Sequence, residues 1–223
     1  MNLLHIDSSI SGGPSASRQL SAQVVNSLRG AAPGLVVIRR DLELDPLPHF
    51  DAKMLAASWP ENQTDDATRA EIAKNAAVLE EFLAADVVVI GAPMYNFTIP
   101  TQLKAWIDRI VIAGKTFRYG QEGTEGLAKG KKVIVASSRG GLYAANTPQA
   151  AYDFQETYLR VVFAFIGIGD VEFVRAEGIA LSPEKREEAI LAGLSVAQAA
   201  ARQVADALDH ARPVRSAQPQ RAA

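Results

Sequence analysis

The chain has 223 residues, 48% of them apolar and 22% charged, with a formal net charge of −2 and no cysteine. That length fills one sizeable domain, the charge balance excludes a protein built to seek polyanions, and the missing cysteine excludes disulfides, thiolate chemistry and cysteine-based zinc sites. Met1-Asn2-Leu3-Leu4-His5-Ile6-Asp7 reaches an acid too soon for a secretory signal, and no apolar run approaches membrane-spanning length, so a cytoplasmic protein with neither nucleic-acid nor membrane partner is expected.

Residues 3–6 read as a first strand. Ser9-Ile10-Ser11-Gly12-Gly13-Pro14-Ser15-Ala16-Ser17 follows, and a helix is expected over 15–28, with Leu20, Val24, Val25 and Leu28 inward. A hydroxyl- and glycine-rich loop opening a helix is an anion site in physical terms, because free backbone N–H groups and the helix dipole face it. A plain serine cap on a flexible turn is the alternative. The glycines do not follow G-x-G-x-x-G, which favours a mononucleotide phosphate over a dinucleotide.

Residues 35–42 read as strand two. A short helix is expected over 51–58, a polar loop over 60–66, and a long helix over 67–84 capped by Thr64 or Asp65, with Ile72, Ala76, Leu79, Phe82 and Leu83 inward. Val87-Val88-Val89-Ile90 is a β-branched run, as in a strand buried on both faces, with Gly91 and Pro93 expected to stop it. Met94-Tyr95-Asn96-Phe97 then forms a loop at the strand's carboxyl end, where open α/β sheets bind ligands; loop aromatics that merely pack the sheet edge are the alternative. Ile99-Pro100 opens a helix carrying Leu103, Trp106, Ile107 and Ile110.

Gly114-Lys115-Thr116 is not a Walker A loop, since Arg109 stands where the leading glycine belongs. Thr116-Phe117-Arg118-Tyr119-Gly120, with Gly123, Gly126 and Gly130, reads as a glycine-punctuated hairpin that could overhang a pocket. Residues 132–138 form strand four and lead into Ser138-Arg139-Gly140-Gly141. Paired glycines let backbone amides approach a flat ligand, though a plain turn reads the same way, and Arg139 reads as a solvated arginine. A helix is expected from Thr147 or Pro148 through Phe165, whose spaced aromatics are of a core-forming kind. Strand five covers 171–174, and a last helix 185–211. Residues 212–223 are expected to be a disordered tail, leaving 1–211 as one domain.

Five strands alternating with helices predict a doubly wound parallel sheet, helices on both faces, in the flavodoxin-like order 2-1-3-4-5. In that order the loops after strands one, three and four share one rim. A phosphate loop flanked by an aromatic loop and a glycine loop fits a phosphorylated flat heterocycle, and FMN is the candidate. No protein acid or base is then required; His5 reads as a packed histidine, metal-ligand spacing is absent, and no G-x-S-x-G elbow is present.

These residues resemble the bacterial FMN-dependent NADH:quinone oxidoreductases and azoreductases over nearly the whole chain. The resemblance rests on Ser15-x-Ser17 after Ser9, on Ala92-Pro93-Met94-Tyr95-Asn96-Phe97 with Ile99-Pro100, on Ser138-Arg139-Gly140-Gly141, and on the hairpin Gly114-Lys115-Thr116-Phe117-Arg118-Tyr119. It implies FMN held by Ser9, Ser15, Ala16 and Ser17 at the phosphate, and by Met94, Tyr95, Asn96, Phe97, Ser138, Arg139, Gly140 and Gly141 at the ring. Ala16 stands where such proteins are often polar, but its backbone N–H is still available. The resemblance also implies a homodimer, with Phe117, Tyr119 and Phe163 as lid or substrate candidates. It implies ping-pong chemistry in which NADH or NADPH reduces the flavin and a quinone or azo compound reoxidises it. A flavodoxin-type electron carrier and a non-enzymatic nucleotide-binding module are the rival readings; the near-neutral charge and the hairpin argue against the first.

Overall fold

The computed structural model describes residues 1–56, 59 and 65–211. The expected tail 212–223, the end of the short helix expected over 51–58, most of the polar loop and the Thr64 cap alternative lie outside the described residues.

A five-stranded parallel sheet has the order β2-β1-β3-β6-β7, from β1 (Asn2–Asp7), β2 (Val36–Asp41), β3 (Val87–Pro93), β6 (Lys132–Ser138) and β7 (Val171–Ala176). A separate antiparallel hairpin, β4 (Phe117–Gly120) with β5 (Gly123–Gly126), interrupts the numbering. With the hairpin set aside, the order is the 2-1-3-4-5 expected from sequence.

The helices are α1 (Ala16–Ala31), α2 (Ala52–Ala56), α3 (Asp66–Ala84), α4 (Thr101–Ile110), α5 (Phe154–Phe165) and α6 (Pro183–Ala211). Two core clusters divide the sheet residues by pleat. Leu4, Ile6, Val88 and Ile90 join Phe82 of α3, Trp106 of α4 and Phe163 of α5. Leu3, Val87, Val89 and Ile134 join Leu20 and Val24 of α1 and Ala197 and Ala201 of α6. Alternate residues of one strand therefore serve different clusters, as the period of two requires.

Several expectations need correction. Gly91 does not stop β3: it pairs with Asp7 and Ala136 inside the ladder, and the strand continues to Pro93. Its missing side chain serves packing, because a Cβ there would meet Asp7 Oδ1 at 2.7 Å and Ser21 Oγ at 3.1 Å. On α3 the fully buried apolar residues are Val78 and Phe82, whereas Leu83 is exposed. Val78 and Phe82 are four apart and share a face; Leu83 lies about 100° round the helix from Phe82. α5 begins after a single 3-10 turn (Ala150–Tyr152), not at Thr147 or Pro148, because Asp153 caps it by accepting from the Glu156 amide at 3.0 Å. No helix among the described residues is long and apolar enough to cross a membrane.

Candidate active site

β1, β3 and β6 are adjacent, so the loops leaving their carboxyl ends share one rim. The first loop ends at Ser15, which caps α1 by accepting from the Arg18 amide. Ser15 Oγ lies 3.0 Å from Ser17 Oγ. Ser9, Ser15, Ala16 and Ser17 are all buried. The Ser15 amide donates to the Gly12 carbonyl, while the amides of Ala16 and Ser17 have no partner among the described residues. Unpaired first-turn amides in a buried, serine-lined cradle are what an anion needs.

Arg18 braces this loop from behind. Its Nε and Nη2 donate to the Ser9 carbonyl at 3.2 and 2.7 Å, and its guanidinium pairs with Asp41 at the end of β2. The Arg18 hydrogen bond holds the Asp41 carboxyl below its ordinary range, and Asp41 in turn raises Arg18. Asp7 is buried beside them. Burial pushes its carboxyl up, but His5, Ser21 and Arg39 together hold it below the usual value. His5 is packed, as expected, with Nε2 3.0 Å from Ser21 Oγ. Arg18 is engaged by the Ser9 carbonyl and Asp41, so it braces the loop after β1 without a free charge to offer.

The second loop is held to its neighbours by backbone. The Met94 amide donates to the Ser138 carbonyl at 2.8 Å, and Tyr95 and Thr98 exchange backbone bonds. Asn96 and Phe97 have left-handed backbones, φ 47° and 71°. That conformation is unfavourable for a residue with a Cβ, and such outliers gather where a loop is shaped for a ligand. The amides of both residues lack partners among the described residues. Phe97 lies against Tyr143 and Tyr152, with ring centroids 6.4 and 5.7 Å away.

The third loop differs from expectation at Arg139. The residue is not solvated; it is 1% exposed. Its guanidinium pairs with Glu156 and lies 3.0 Å from Asp153 and 3.1 Å from Glu177, while Nε donates to Ser137 Oγ. The Arg139 side chain thus faces protein acids, leaving the loop backbone to meet a ligand. Gln155, also buried, bridges the ends of β3 and β6 by accepting from Ser137 Oγ and donating to the Ala92 carbonyl.

The aromatic candidates separate. Tyr119 on the hairpin is exposed, whereas Phe117 is buried against Phe165 at 4.7 Å. Phe163 is fully buried in the core and presents no surface to a ligand, which corrects its reading as a lid candidate. Among the described residues no group of three or more histidine, aspartate or glutamate side chains could hold a metal ion.

The rim brings Ser9, Ser15, Ala16, Ser17, Met94, Tyr95, Asn96, Phe97, Ser138, Gly140 and Gly141 to three neighbouring strand ends. Unpaired amides in the first loop fit a phosphate, and those in the other two fit the acceptor-rich edge of a flat ring. Sequence reasoning missed Gln155, Glu156 and Glu177, which support these loops from α5 and from the end of β7.

The strand order defines the class, a flavodoxin-like α/β protein whose loops after β1, β3 and β6 share the carboxyl edge of the sheet. The sequence model of the flavodoxin-like fold family matches residues 1–201. The chain is 56% identical over 191 residues to the FMN-dependent NADH:quinone oxidoreductase of Methylocella silvestris, covering 85% of this chain and 94% of that one. It is 57% identical over 197 residues to the FMN-dependent NADH:quinone oxidoreductase 2 of Bradyrhizobium diazoefficiens, covering 88% and 97%. Among solved structures, an azoreductase from Bacillus anthracis str. Sterne superposes with a TM-score of 0.83 at 31% identity, covering 91% of this chain and 99% of that one. An FMN-dependent NADH-azoreductase from Bacillus anthracis str. Ames Ancestor, in complex with FMN, gives 0.83 at 26% identity, covering 92% and 99%. The chain belongs to the flavodoxin-like family and, within it, to the group of the FMN-dependent NADH:quinone oxidoreductases.

Proposed function

We propose that this protein is an FMN-dependent NADH:quinone oxidoreductase that also reduces azo compounds to aromatic amines. The observation that carries this reading is the set of unpartnered backbone amides gathered on one rim, at Ala16 and Ser17 and at Asn96 and Phe97. Relatives more than half identical, which this chain covers to 94% and 97% of their length, bear the corresponding name. FMN, when bound, would supply two-electron transfer in a ping-pong order, taking electrons from the nicotinamide donor and passing them to the quinone or azo acceptor.

The chain's own residues do the holding. Ser9, Ser15 and Ser17 hydroxyls and the Ala16 and Ser17 amides take the phosphate, with the dipole of α1 behind them. The Met94–Phe97 and Ser138–Gly141 segments border the ring, and their amides donate to its edge acceptors. Phe97 packs against Tyr143 and Tyr152 beside this segment, an aromatic cluster that would shield a bound ring from water. Tyr119, and Phe117 behind it, are the hairpin candidates for contact with substrate.

In the same reading, residues 1–211 form one catalytic domain with helices over both sheet faces, in keeping with the two separate core clusters. The protein acts as a cytoplasmic homodimer, one FMN per subunit; Phe50, Leu55 and Trp59 offer exposed apolar surface around α2 for a second subunit to cover. NADH is the donor; among the described residues, Arg18 and Arg139 at the rim are both paired with acids and so are poorly placed to select the 2′-phosphate of NADPH.

An anaerobic absorbance titration tests the proposal. The protein is reconstituted with FMN, desalted, then given NADH and afterwards a benzoquinone. Flavin bands that are retained, bleach with NADH and return with quinone are the expected result. Retained flavin that NADH cannot bleach would replace the enzyme with an electron carrier, and loss of flavin on desalting would remove the site.

A further inference from the structure

The loop after β6 is held from outside the rim by a segment that the site itself does not include. Residues 176–180, joining β7 to α6, engage the Arg139 amide and three carbonyls of the loop. The Arg139 amide donates to the Ala176 carbonyl at 2.9 Å. In return, the Ile179 amide donates to the Arg139 carbonyl at 3.1 Å, the Ala180 amide to the Gly140 carbonyl at 3.1 Å, and the Gly178 amide to the Gly141 carbonyl at 2.8 Å. Three successive loop carbonyls are thereby fixed, while the amides of Gly140 and Gly141 have no partner among the described residues. A peptide plane whose carbonyl is pinned has its amide direction set as well, because the peptide unit is planar.

Glu177 closes the arrangement with its side chain. One oxygen, Oε1, accepts from Arg139 Nη1 at 3.1 Å and from the Tyr143 amide at 3.0 Å. The first and last residues of the 139–143 loop are therefore clamped to the same atom. Arg139 is buried, and it also pairs with Asp153 and Glu156, so its charge is compensated from α5 as well. Arg175 makes a two-pronged contact with Glu156, at 2.6 Å for each bond, which fixes that acid in turn. Tyr143, whose amide is held, folds its ring back over Gly141, where an added Cβ would meet it at 3.2 Å.

We propose that Glu177, acting through Arg139 and the Tyr143 amide, is a positioning residue that aims the Gly140 and Gly141 amides at the flavin ring. The inference rests on the function proposed above and deepens it. The Glu177 carboxylate is spent on Arg139 and the Tyr143 amide rather than on a ligand; it adds to the backbone bonds from residues 178–180 by tying both ends of the diglycine loop, which limits the freedom its glycines would otherwise have. Donors held in place beforehand favour the ring form that carries more charge on its edge, so the clamp acts on ring affinity and on reduction potential together.

The test compares Glu177→Ala and Glu177→Gln with the parent protein, using FMN and riboflavin as separate titrants of the apoprotein by flavin fluorescence. Riboflavin lacks the phosphate and reports the ring side alone. Glu177→Ala should weaken riboflavin and FMN by the same factor, about tenfold, and should move the midpoint potential of the FMN-loaded protein to more negative values. Arg139 keeps Asp153 and Glu156, so the variant is expected to fold. Glu177→Gln keeps an oxygen acceptor for the Tyr143 amide and should recover part of both effects. Unchanged riboflavin affinity and potential in Glu177→Ala would overturn the proposal, as would a loss confined to FMN. An unfolded Ala variant shifts the reading to Glu177→Gln, where parent-like affinity and potential would overturn it. If the parent protein binds neither flavin, the proposed function fails; if the parent binds both and the variants match it, only this inference fails.

Discussion

The Tyr95 hydroxyl lies 3.3 Å from Ser9 Oγ, joining the loop after β3 to the loop after β1. The Ile10 amide donates to the same phenol oxygen at 3.2 Å, and the Ser11 amide donates to Ser9 Oγ at 3.3 Å. With the phenol proton directed at Ser9 Oγ, that oxygen accepts twice, and its own proton is free to donate to an anion. In the proposed site, Tyr95 thus connects the loop that would border the ring to the loop that would hold the phosphate. Removing the hydroxyl costs a net hydrogen bond of about 0.5–1.5 kcal/mol, so Tyr95→Phe should weaken FMN roughly two- to tenfold. Equilibrium titration of the apoprotein reads this directly, and parent-like affinity would show that the tether does not matter to binding.

Asn96 and Phe97 allow side chain and backbone to be tested separately. A left-handed backbone costs a Cβ-bearing residue roughly 1–2 kcal/mol, and asparagine tolerates it better than alanine. Asn96 has φ 47°. Asn96→Gly removes the amide side chain and keeps the backbone easy; Asn96→Ala removes the same group and adds strain. Both should lower NADH:quinone turnover and FMN affinity, while the Ala variant should be the less stable of the two by about 1 kcal/mol in urea unfolding. Equal midpoints would mean that the loop does not hold this backbone in solution. Parent-like turnover and affinity in both would remove the Asn96 side chain from the site.

The rim was legible because its signals are local. Glycine, serine and proline at strand ends mark loops, and β-branched runs mark buried strands, so the three loops and the sheet order follow from neighbouring residues. What supports the loops was not legible. Arg139 in a glycine loop reads as solvated, and nothing nearby shows that Asp153, Glu156 and Glu177 converge on it from α5 and from the end of β7. Gly91 was misread for the same reason: its requirement is set by Asp7 and Ser21 across the sheet and on α1. On alanine-rich α3 the apolar positions are too evenly spread to fix one face, so the pattern alone points Leu83 inward and does not single out Val78.

The acid end of the stability curve should report the Arg18–Asp41 pair behind the loop after β1. Asp41 is held below its ordinary value by the Arg18 hydrogen bond, and Asp7 is also depressed. For a carboxyl whose folded pKa lies below its unfolded value of about 3.9, the stabilisation is complete above that pH and is lost as pH falls through the folded value. Urea midpoints should therefore drop steeply below about pH 4. Asp41→Asn should be less stable than the parent at neutral pH and should lose less on acidification, the two curves converging at low pH. Parallel curves would mean that Asp41 is not depressed in solution.

Gly91 links stability to the site through α1. A Cβ at this position meets Asp7 Oδ1 at 2.7 Å, Ser21 Oγ at 3.1 Å and the Ser17 carbonyl at 3.3 Å. Asp7 cannot yield cheaply, because Ser21 and Arg39 hold it at 2.8 and 3.1 Å. The Ser17 carbonyl belongs to the first turn of α1, so the helix must lift from β3 to admit the methyl group. Overpacking of this kind costs about 1–3 kcal/mol. Gly91→Ala should lower apoprotein stability by that amount in urea. Because the lifted turn carries the Ala16 and Ser17 amides, FMN affinity should fall further than riboflavin affinity. A stable variant with parent-like FMN binding would show that α1 yields without moving its first turn; a loss shared equally by riboflavin and FMN would place the disturbance in the loops after β3 and β6.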